Sequence, residues 1–440
     1  MVTSAAAAQR EYRDWPEARV DTLLADIAET IADAAPSLAE EAVAETRMGR
    51  VEDKIVKIRF ASMDVFQSVV GRPAAGLLSF DANTGVAEYA HPVGVVFGLI
   101  PATNSVSTLV FKTLIALKGR NALVVRCHRS SVGVGARTGR LIRSVLIRHG
   151  APSDLLRWVA HPAGRETTAL LMRHHGVGLV LATGGASLVK AAYSSGTPAI
   201  GVGQGNAPAY VAADADPAAA ASLVVASKSF DCGIVCGSEH NLVVDEACYA
   251  ATVAALRAAG AAVVDVNEVE RLTATLFDGR GALRPELAGR PAGEICAAAQ
   301  LHRFHAPSII VAPVPRHLVS GPWGHEKLVP VLSLFTTDGV DDALGLCARI
   351  LSQQGRGHTM VVHSPDWLLA QRFAAALDVS RVLWNTGGSQ GCIGLGSGLT
   401  PSLTLGCGTY GGTSTTDNIT YRHLLNIKRV AGPVPSGGGT

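Results

Sequence analysis

Residues 93–100 read Val-Gly-Val-Val-Phe-Gly-Leu-Ile, and Pro101 follows. An unbroken apolar run of this length, closed by a proline, fits a strand buried on both faces, as in a parallel sheet covered by helices. The chain around it repeats the pattern. Helices are expected at about Ser105–Leu117, Gly135–Arg148, Glu166–His174 and Ser187–Ser194. Strands are expected at Ala122–Arg126, Leu155–Val159, Val177–Leu181 and Ala199–Val202. This βα alternation predicts an α/β fold with a mainly parallel, doubly wound sheet.

A second α/β series starts after Phe230. Its strands are expected at Leu242–Val244, Ala262–Val266, Ile309–Ala312, Val329–Phe335, Met360–His363 and Arg381–Trp384, with helices at 250–259, 269–277, 293–303, 341–351 and 367–377. Upstream of both series, Asp14 and Pro16 start a helix carrying Val20, Leu23, Leu24, Ile27 and Ile31 at helical spacing. Pro36 starts a second, which runs with interruptions through Met48, Val51, Ile55 and Ile58, its charged face solvated. Val86–Ala90 alternates as an exposed strand. Phe277–Pro291 reads as a surface connection and Pro435–Thr440 as a frayed end.

The chain has 440 residues, 48% hydrophobic, 17% charged and 5% aromatic. It is too apolar to be disordered and long enough for two or three domains around a large core. A net charge of +2 leaves no extended basic face for nucleic acid. No apolar run reaches the roughly 18 residues that cross a bilayer, so no membrane partner is expected. Met1–Asp21 holds Glu11, Asp14, Glu17 and Asp21 without an apolar core segment, unlike a signal peptide. Eight scattered cysteines are the usage of a reducing cytoplasm.

Cys236 is the most suggestive residue for chemistry. It lies in Ser-Phe-Asp-Cys-Gly-Ile-Val-Cys-Gly-Ser-Glu (229–239), and Gly233 and Gly237 would let a substrate approach closely. A reactive thiolate needs backbone donors or positive charge beside it. An inert buried cysteine is the competing reading. Cys232, Cys236 and His240, spaced at four and four, form a weaker metal alternative, disfavoured by the two glycines and by the want of a fourth ligand. Ala-Thr-Gly-Gly (182–185) ends a buried strand and opens a helix, where open α/β sheets hold dinucleotides; an ordinary Gly-rich turn competes. Gly-Val-Gly-Gln-Gly-Asn (201–206) reads as a loop near a ligand or another loop. Asn104 can donate to a developing oxyanion or cap the helix that follows. His325-Glu326-Lys327 and His358 are site residues at a sheet edge or solvated loop residues. Arg126, His128 and Arg129 follow a buried strand, where they meet a phosphate or stand in water.

Taken in order, Pro101–Asn104, Thr183-Gly184-Gly185, the loop Gly201–Pro208, Cys236 and Glu326 resemble the aldehyde dehydrogenase superfamily over nearly the whole chain. Within it they look like the CoA-acylating branch, typified by the aldehyde dehydrogenase half of bifunctional aldehyde–alcohol dehydrogenase. The stretches that carry the resemblance are 182–203, 230–239 and 401–412, the last reading Pro-Ser-Leu-Thr-Leu-Gly-Cys-Gly-Thr-Tyr-Gly-Gly. The resemblance implies an aldehyde-dehydrogenase-like fold: a doubly wound cofactor-binding domain at 1–227 with an arm strand at about 81–92, an α/β catalytic domain at 228–407, and a C-terminal oligomerisation segment and tail at 408–440. About 408–431 would cross back to a partner subunit and the Val86–Ala90 strand would pair with that partner, giving a homodimer or homotetramer.

The same resemblance makes Cys236 the nucleophile, with Asn104 and the Cys236 backbone N–H as oxyanion donors. Pro101, Ala102, Thr103, Thr183, Gly184, Gly185 and Gly203 would lie by the cofactor, NAD or NADP, and Glu326 would hold the nicotinamide ribose. Arg126 stands where many members place a lysine on the adenosine ribose, and His358 resembles an acid/base or CoA-side group. No metal is implied. Hydrolytic members carry Glu-Leu-Gly-Gly; here the stretch is Gly201-Val202-Gly203-Gln204, and Gly201 cannot act as a base. That points to coenzyme A as acyl acceptor and to a short aldehyde of the acetaldehyde or propionaldehyde type as substrate. The alternatives are an acylating sulfoacetaldehyde dehydrogenase, with Arg303, His305 and Arg316 supplying positive charge, a hydrolytic aldehyde dehydrogenase, and a filament-forming structural subunit.

Overall fold

A computed structural model describes residues 1–161 and 164–433, so the expected frayed end at Pro435–Thr440 lies outside the described residues. Fifteen strands form three sheets among these residues. The arm strands come first, β1 (Gly76–Asp81) and β2 (Val86–Pro92). Next come β3 (Val95–Ile100), β4 (Ala122–Cys127), β5 (Leu156–Trp158), β6 (Leu179–Thr183) and β7 (Ala199–Val202). They form a wholly parallel five-stranded sheet in the order β5-β4-β3-β6-β7. Every residue of β3 is buried, as its apolar run requires. Strand order reverses between β3 and β6, and open α/β sheets present ligand crevices at the carboxyl ends of such strands. Lys112, on the buried helix Ser105–Lys118, bridges this point: its Nζ donates to Leu99 O at 2.7 Å on β3 and to Leu181 O at 2.8 Å on β6.

The other strands are β8 (Ala207–Val211), β9 (Glu239–Asp245), β10 (Ala261–Val263), β11 (Ile309–Pro313), β12 (Val331–Thr337), β13 (Gly357–His363), β14 (Val379–Trp384) and β15 (Leu425–Ala431). All but the last form a parallel seven-stranded sheet in the order β10-β11-β12-β9-β8-β13-β14. The chain therefore passes from one sheet to the other through residues 203–206, ahead of the expected boundary between 227 and 228. The sequence hid β8 because Pro208 argues against a central strand; the sheet accommodates it at a register shift between Ala207 and Pro208.

Three other expectations need correction. Pro36 does not start a helix. It lies inside one continuous helix, Glu17–Thr46, whose buried stripe from Val20 to Ala42 outweighs the lost amide donor. The helix at Asp14 is not the first element: Val2–Tyr12 forms a helix ahead of it, which buries Val2, Ala5, Ala8 and Tyr12. In the arm, β2 is paired antiparallel with β1 on one edge and with β15 of the same chain on the other. Val86–Ala90 therefore has no edge left for a partner strand, and the 408–431 segment ends on its own chain.

Candidate active site

Cys236 follows the helix Pro217–Ser229 and a tight turn, Phe230–Gly233, in which Asp231, Cys232 and Gly233 take φ values of 47°, 56° and 71°. Consecutive left-handed residues with side chains are costly, so the surroundings must hold them. Asp231 supplies the hold. Its carboxylate accepts from Arg50 N at 2.9 Å and Lys54 Nζ at 3.1 Å and pairs with Lys57 Nζ, while its own N–H donates to Asp53 Oδ2 at 2.8 Å. The Lys54–Lys57 face, read as solvated, is thus buried against an acid. The Lys57 and Lys54 ammonium groups hold the Asp231 carboxyl below the ordinary carboxylate range against the opposing effect of burial, the largest influence on it. Burial lowers Lys57 to about 8.

Lys57 Nζ also donates to Asn104 Oδ1 at 2.5 Å. Because an ammonium only donates, this contact fixes the amide orientation, with Oδ1 toward Lys57. Asn104 occupies the N-cap of the helix Ser105–Lys118 but makes no side-chain capping bond. Of its two sequence-level roles, the cap is therefore not the one its side chain performs. The Asn104 amide and Cys236 both line a cavity of about 190 Å³.

The cavity gathers most of the expected constellation: Pro101, Thr103, Asn104, Thr183, Gly184, Gly185, Gly203, Cys236 and Glu326. It also gathers Lys57, Gln204, Leu403 and Leu405, which the sequence did not single out. Glu326 Oε1 accepts from Gly205 N at 3.1 Å, and the Glu326 N–H donates to Gln354 Oε1 at 2.9 Å. Burial raises Glu326 to about 7, against the Gly205 N–H and the Lys228 charge. Burial also pushes the Cys236 thiol well above its ordinary range; Cys392 and Glu326 push the same way, and the Arg381 charge opposes them. Thr183 Oγ1 lies 3.2 Å from Thr404 Oγ1, tying the glycine turn after β6 to the 399–418 segment.

Two glycines shape this site. A Cβ on Gly205 would stand 1.7 Å from the Cys236 carbonyl oxygen, so the crossing can pack on Cys236 here only as glycine. A Cβ on Gly201 would stand 2.6 Å from Val189 Cγ1 and 2.9 Å from Tyr193 Cε2, and the Tyr193 hydroxyl accepts from Gly201 N at 2.9 Å. Neighbouring side chains fill the position where a hydrolytic glutamate would stand.

Some expected residues do not reach the cavity. Ala102 is buried beneath the turn after β3, and Arg126 lies near the end of β4. His358, read as an edge or loop residue, is wholly buried in β13, with Nδ1 2.9 Å from Thr359 Oγ1; burial lowers it to about 3. Of the residues named in the metal alternative, Cys232 sits in the left-handed turn and His240, on β9, accepts from Lys327 N at its Nδ1 at 3.0 Å. Among the described residues no cluster of three metal-ligating side chains forms. Two of the three charges named for a sulfonate are engaged elsewhere: Arg303 Nε donates to Glu268 Oε1 at 2.6 Å and Arg316 Nη1 to Asp342 Oδ2 at 2.7 Å.

Residues 1–274 match the aldehyde dehydrogenase family model. The chain belongs to that family. It is 37% identical over 432 residues to the bifunctional aldehyde-alcohol dehydrogenase of Escherichia coli K12, covering 96% of this chain and 48% of the relative. It thus spans about half the length of that relative. It is 35% identical over 445 residues to the acylating sulfoacetaldehyde dehydrogenase of Cupriavidus necator, covering 99% and 88% of the two chains. The crystal structure of an acetylating aldehyde dehydrogenase from Geobacillus thermoglucosidasius superposes with a TM-score of 0.95 at 36% identity, covering 100% of this chain and 97% of that one. The α/β architecture of this aldehyde dehydrogenase agrees with that match.

Lys57 and Asp231 escaped the sequence reading because their contact joins distant segments; the parallel Lys54–Asp231 bond spans 177 residues. Leu403 and Leu405 carried a usable signal: they alternate within the 401–412 stretch on which the resemblance rested.

Proposed function

We propose that the protein oxidises a short-chain aldehyde to its acyl-CoA with NAD or NADP, through a thioester on Cys236. The observation that carries this reading is Gly201. A position that would hold the water-activating carboxylate is instead packed by Val189 and Tyr193, so the thioester finds no base there to help water attack it. A thiol acceptor needs less help, and the acetylating and acylating names of the relatives support the same choice. The sulfoacetaldehyde alternative is less favoured, because Arg303 and Arg316 are engaged by acids.

The residues fit a nicotinamide dinucleotide. The Thr183–Gly185 turn and Pro101 open at the β3/β6 switch point, the space beside Gly185 is free, and the Glu326 carboxylate can accept from ribose hydroxyls. The bound nicotinamide supplies a hydride acceptor. Cys236 Sγ adds to the aldehyde carbon as its proton leaves, and the charge that collects on oxygen is met by Asn104 Nδ2 and the Cys236 N–H. Loss of hydride from that carbon leaves the Cys236 thioester. Attack by the CoA thiol then releases acyl-CoA and returns the cysteine. Lys57 keeps the Asn104 amide in place throughout. His358 and Arg126 are assigned supporting roles only, in the wall behind the site and toward the adenosine side.

The cofactor is assigned to the part built on the five-stranded sheet, within 1–227, and the catalytic cysteine to 228–407. Assembly as a homodimer or homotetramer is part of the same proposal. Eight unpaired cysteines support operation in the cytoplasm. The test is nicotinamide reduction with acetaldehyde, propionaldehyde and sulfoacetaldehyde, with and without CoA, using NAD and NADP in parallel. Strict CoA dependence is expected; equal rates without CoA would overturn the reading.

A further inference from the structure

The 399–418 segment serves two cavities. It gives Leu403 and Leu405 to the Cys236 cavity, and Leu399, Thr400 and Thr416 to a second one of about 470 Å³. The two cavities share no lining residue. We infer that the second cavity is a binding site for a tetrahedral oxyanion, the phosphate or sulfonate group of a small molecule.

Three arginines line it, Arg72, Arg381 and Arg422, against one carboxylate, Asp417. That carboxylate is already engaged, with His423 Nε2 and Thr415 Oγ1 each 3.0 Å from Oδ2. Arg72 and Arg422 are exposed and pair with no acid among the described residues. Exposed arginines alone would mean little. Arg381 is different: it is only 6% exposed, and its guanidinium donates to three backbone oxygens, His358 O at 3.1 Å, Gly406 O at 2.7 Å and Thr416 O at 2.9 Å. A cation this deeply set, without a carboxylate in contact, has its charge met at close range only by backbone dipoles, beside the cavity it lines.

A second, independent observation is Ser380. Ser380 lines the same cavity, and its buried Oγ has no hydrogen-bond partner among the described residues. Buried hydroxyls without partners are uncommon and ask for an explanation. A turn about its χ1 would offer the hydroxyl to an anionic oxygen in the cavity. Guanidinium forks match phosphate and sulfonate oxygens well, and a tetrahedral group offers an oxygen to each arginine, which a planar carboxylate does not.

The test is calorimetric titration of the full chain with inorganic phosphate, with chloride holding the ionic strength constant. One saturable site is expected. Arg72→Ala and Arg422→Ala should each weaken it at least about tenfold, and Ser380→Ala about threefold, as expected for losing charged and neutral hydrogen bonds. Circular dichroism and melting without phosphate should match wild type for the two exposed arginines. Adenosine 3′,5′-bisphosphate and isethionate then separate the sources. Whichever binds more tightly than phosphate, by an increment that Arg422→Ala removes, identifies a nucleotide phosphate or a small sulfonate as the natural group. No saturable site, or one that both arginine variants leave intact, would overturn the inference. Cys236→Ser should keep phosphate binding, so failure of the anion site and failure of the proposed aldehyde chemistry are read separately.

Discussion

Two segments press on Cys236, and they are held by different physics. The crossing at 203–206 meets it at a steric limit: Gly205, whose N–H donates to Glu326, is required because any side chain would enter the Cys236 carbonyl. The turn at 230–233 reaches it through strain that charge must hold. Only one of its three left-handed residues is glycine, and the other two cost roughly 1–2 kcal/mol each. The Asp231 carboxylate, gripped by Lys54, Lys57 and the Arg50 N–H, offsets that cost and carries the restraint on to Asn104. One side of the nucleophile is thus shaped by what is missing, the other by a buried ion cluster.

The largest expected effect removes what both segments serve. Cys236→Ser should lower turnover by more than about 10⁴-fold with the fold intact, because the serine hydroxyl cannot replace the thiol nucleophile. Cys232→Ser, in the strained turn but outside the cavity, should keep most activity. Steady-state rates and circular dichroism on both variants check this; a dead Cys232→Ser with a live Cys236→Ser would reverse the assignment.

Breaking each side separately comes next. Lys57→Met leaves Asp231 buried with one lysine fewer and frees the Asn104 amide. It should destabilise the protein by about 3–5 kcal/mol, the usual cost of stripping one partner from a buried charge. In material that still folds, it should lower kcat by about 10²-fold, comparable to losing an oxyanion donor. On the steric side, Gly205→Ala should cost about 3 kcal/mol or more, since backbone rather than a flexible side-chain tip blocks the new methyl. Gly203→Ala, two residues earlier and with nothing within 4 Å of its Cβ, should leave stability nearly unchanged. Thermal melts of the four proteins decide whether charge and sterics act on opposite sides as described.

The same contrast explains what could be read from the sequence. β3, β4, β6 and β7 were legible because burial on both faces writes itself as apolar runs, and the turn after β6 was legible as the glycine pair that ends such a run. Gly201 was legible as a missing acid, although Val189 and Tyr193, which fill the space, were not. The Asp231 cluster was illegible: Lys54 and Lys57 look like any charged helix face until a residue far along the chain meets them. β8 was masked by Pro208, and the long first helix was split by Pro36, because in both places tertiary packing outweighs a local breaker. The partner assigned to Val86–Ala90 was displaced by β15, a pairing across more than three hundred residues that no local pattern announces.

A smaller effect sharpens the contrast at the sulfur itself. Burial raises the Cys236 thiol well above the ordinary range, with the Arg381 charge opposing. An ordinary cysteine, with a pKa near about 8.5, begins to saturate its alkylation rate just above that pH. Cys236 should not. Its rate of modification by iodoacetamide, followed by mass spectrometry of the peptide that contains it, should rise about tenfold per pH unit from pH ~7 to ~9 without a plateau, because the thiolate fraction is still climbing there. The other cysteines near the site supply the internal control: Cys232 and Cys392 are both raised to about 12 and are buried, so they should stay unmodified under the same conditions. A plateau for Cys236 below pH ~8 would mean that Arg381 outweighs that burial. The cavity would then present a resting thiolate, and the nucleophile would owe its reactivity to that buried cation more than to the two segments packed around it.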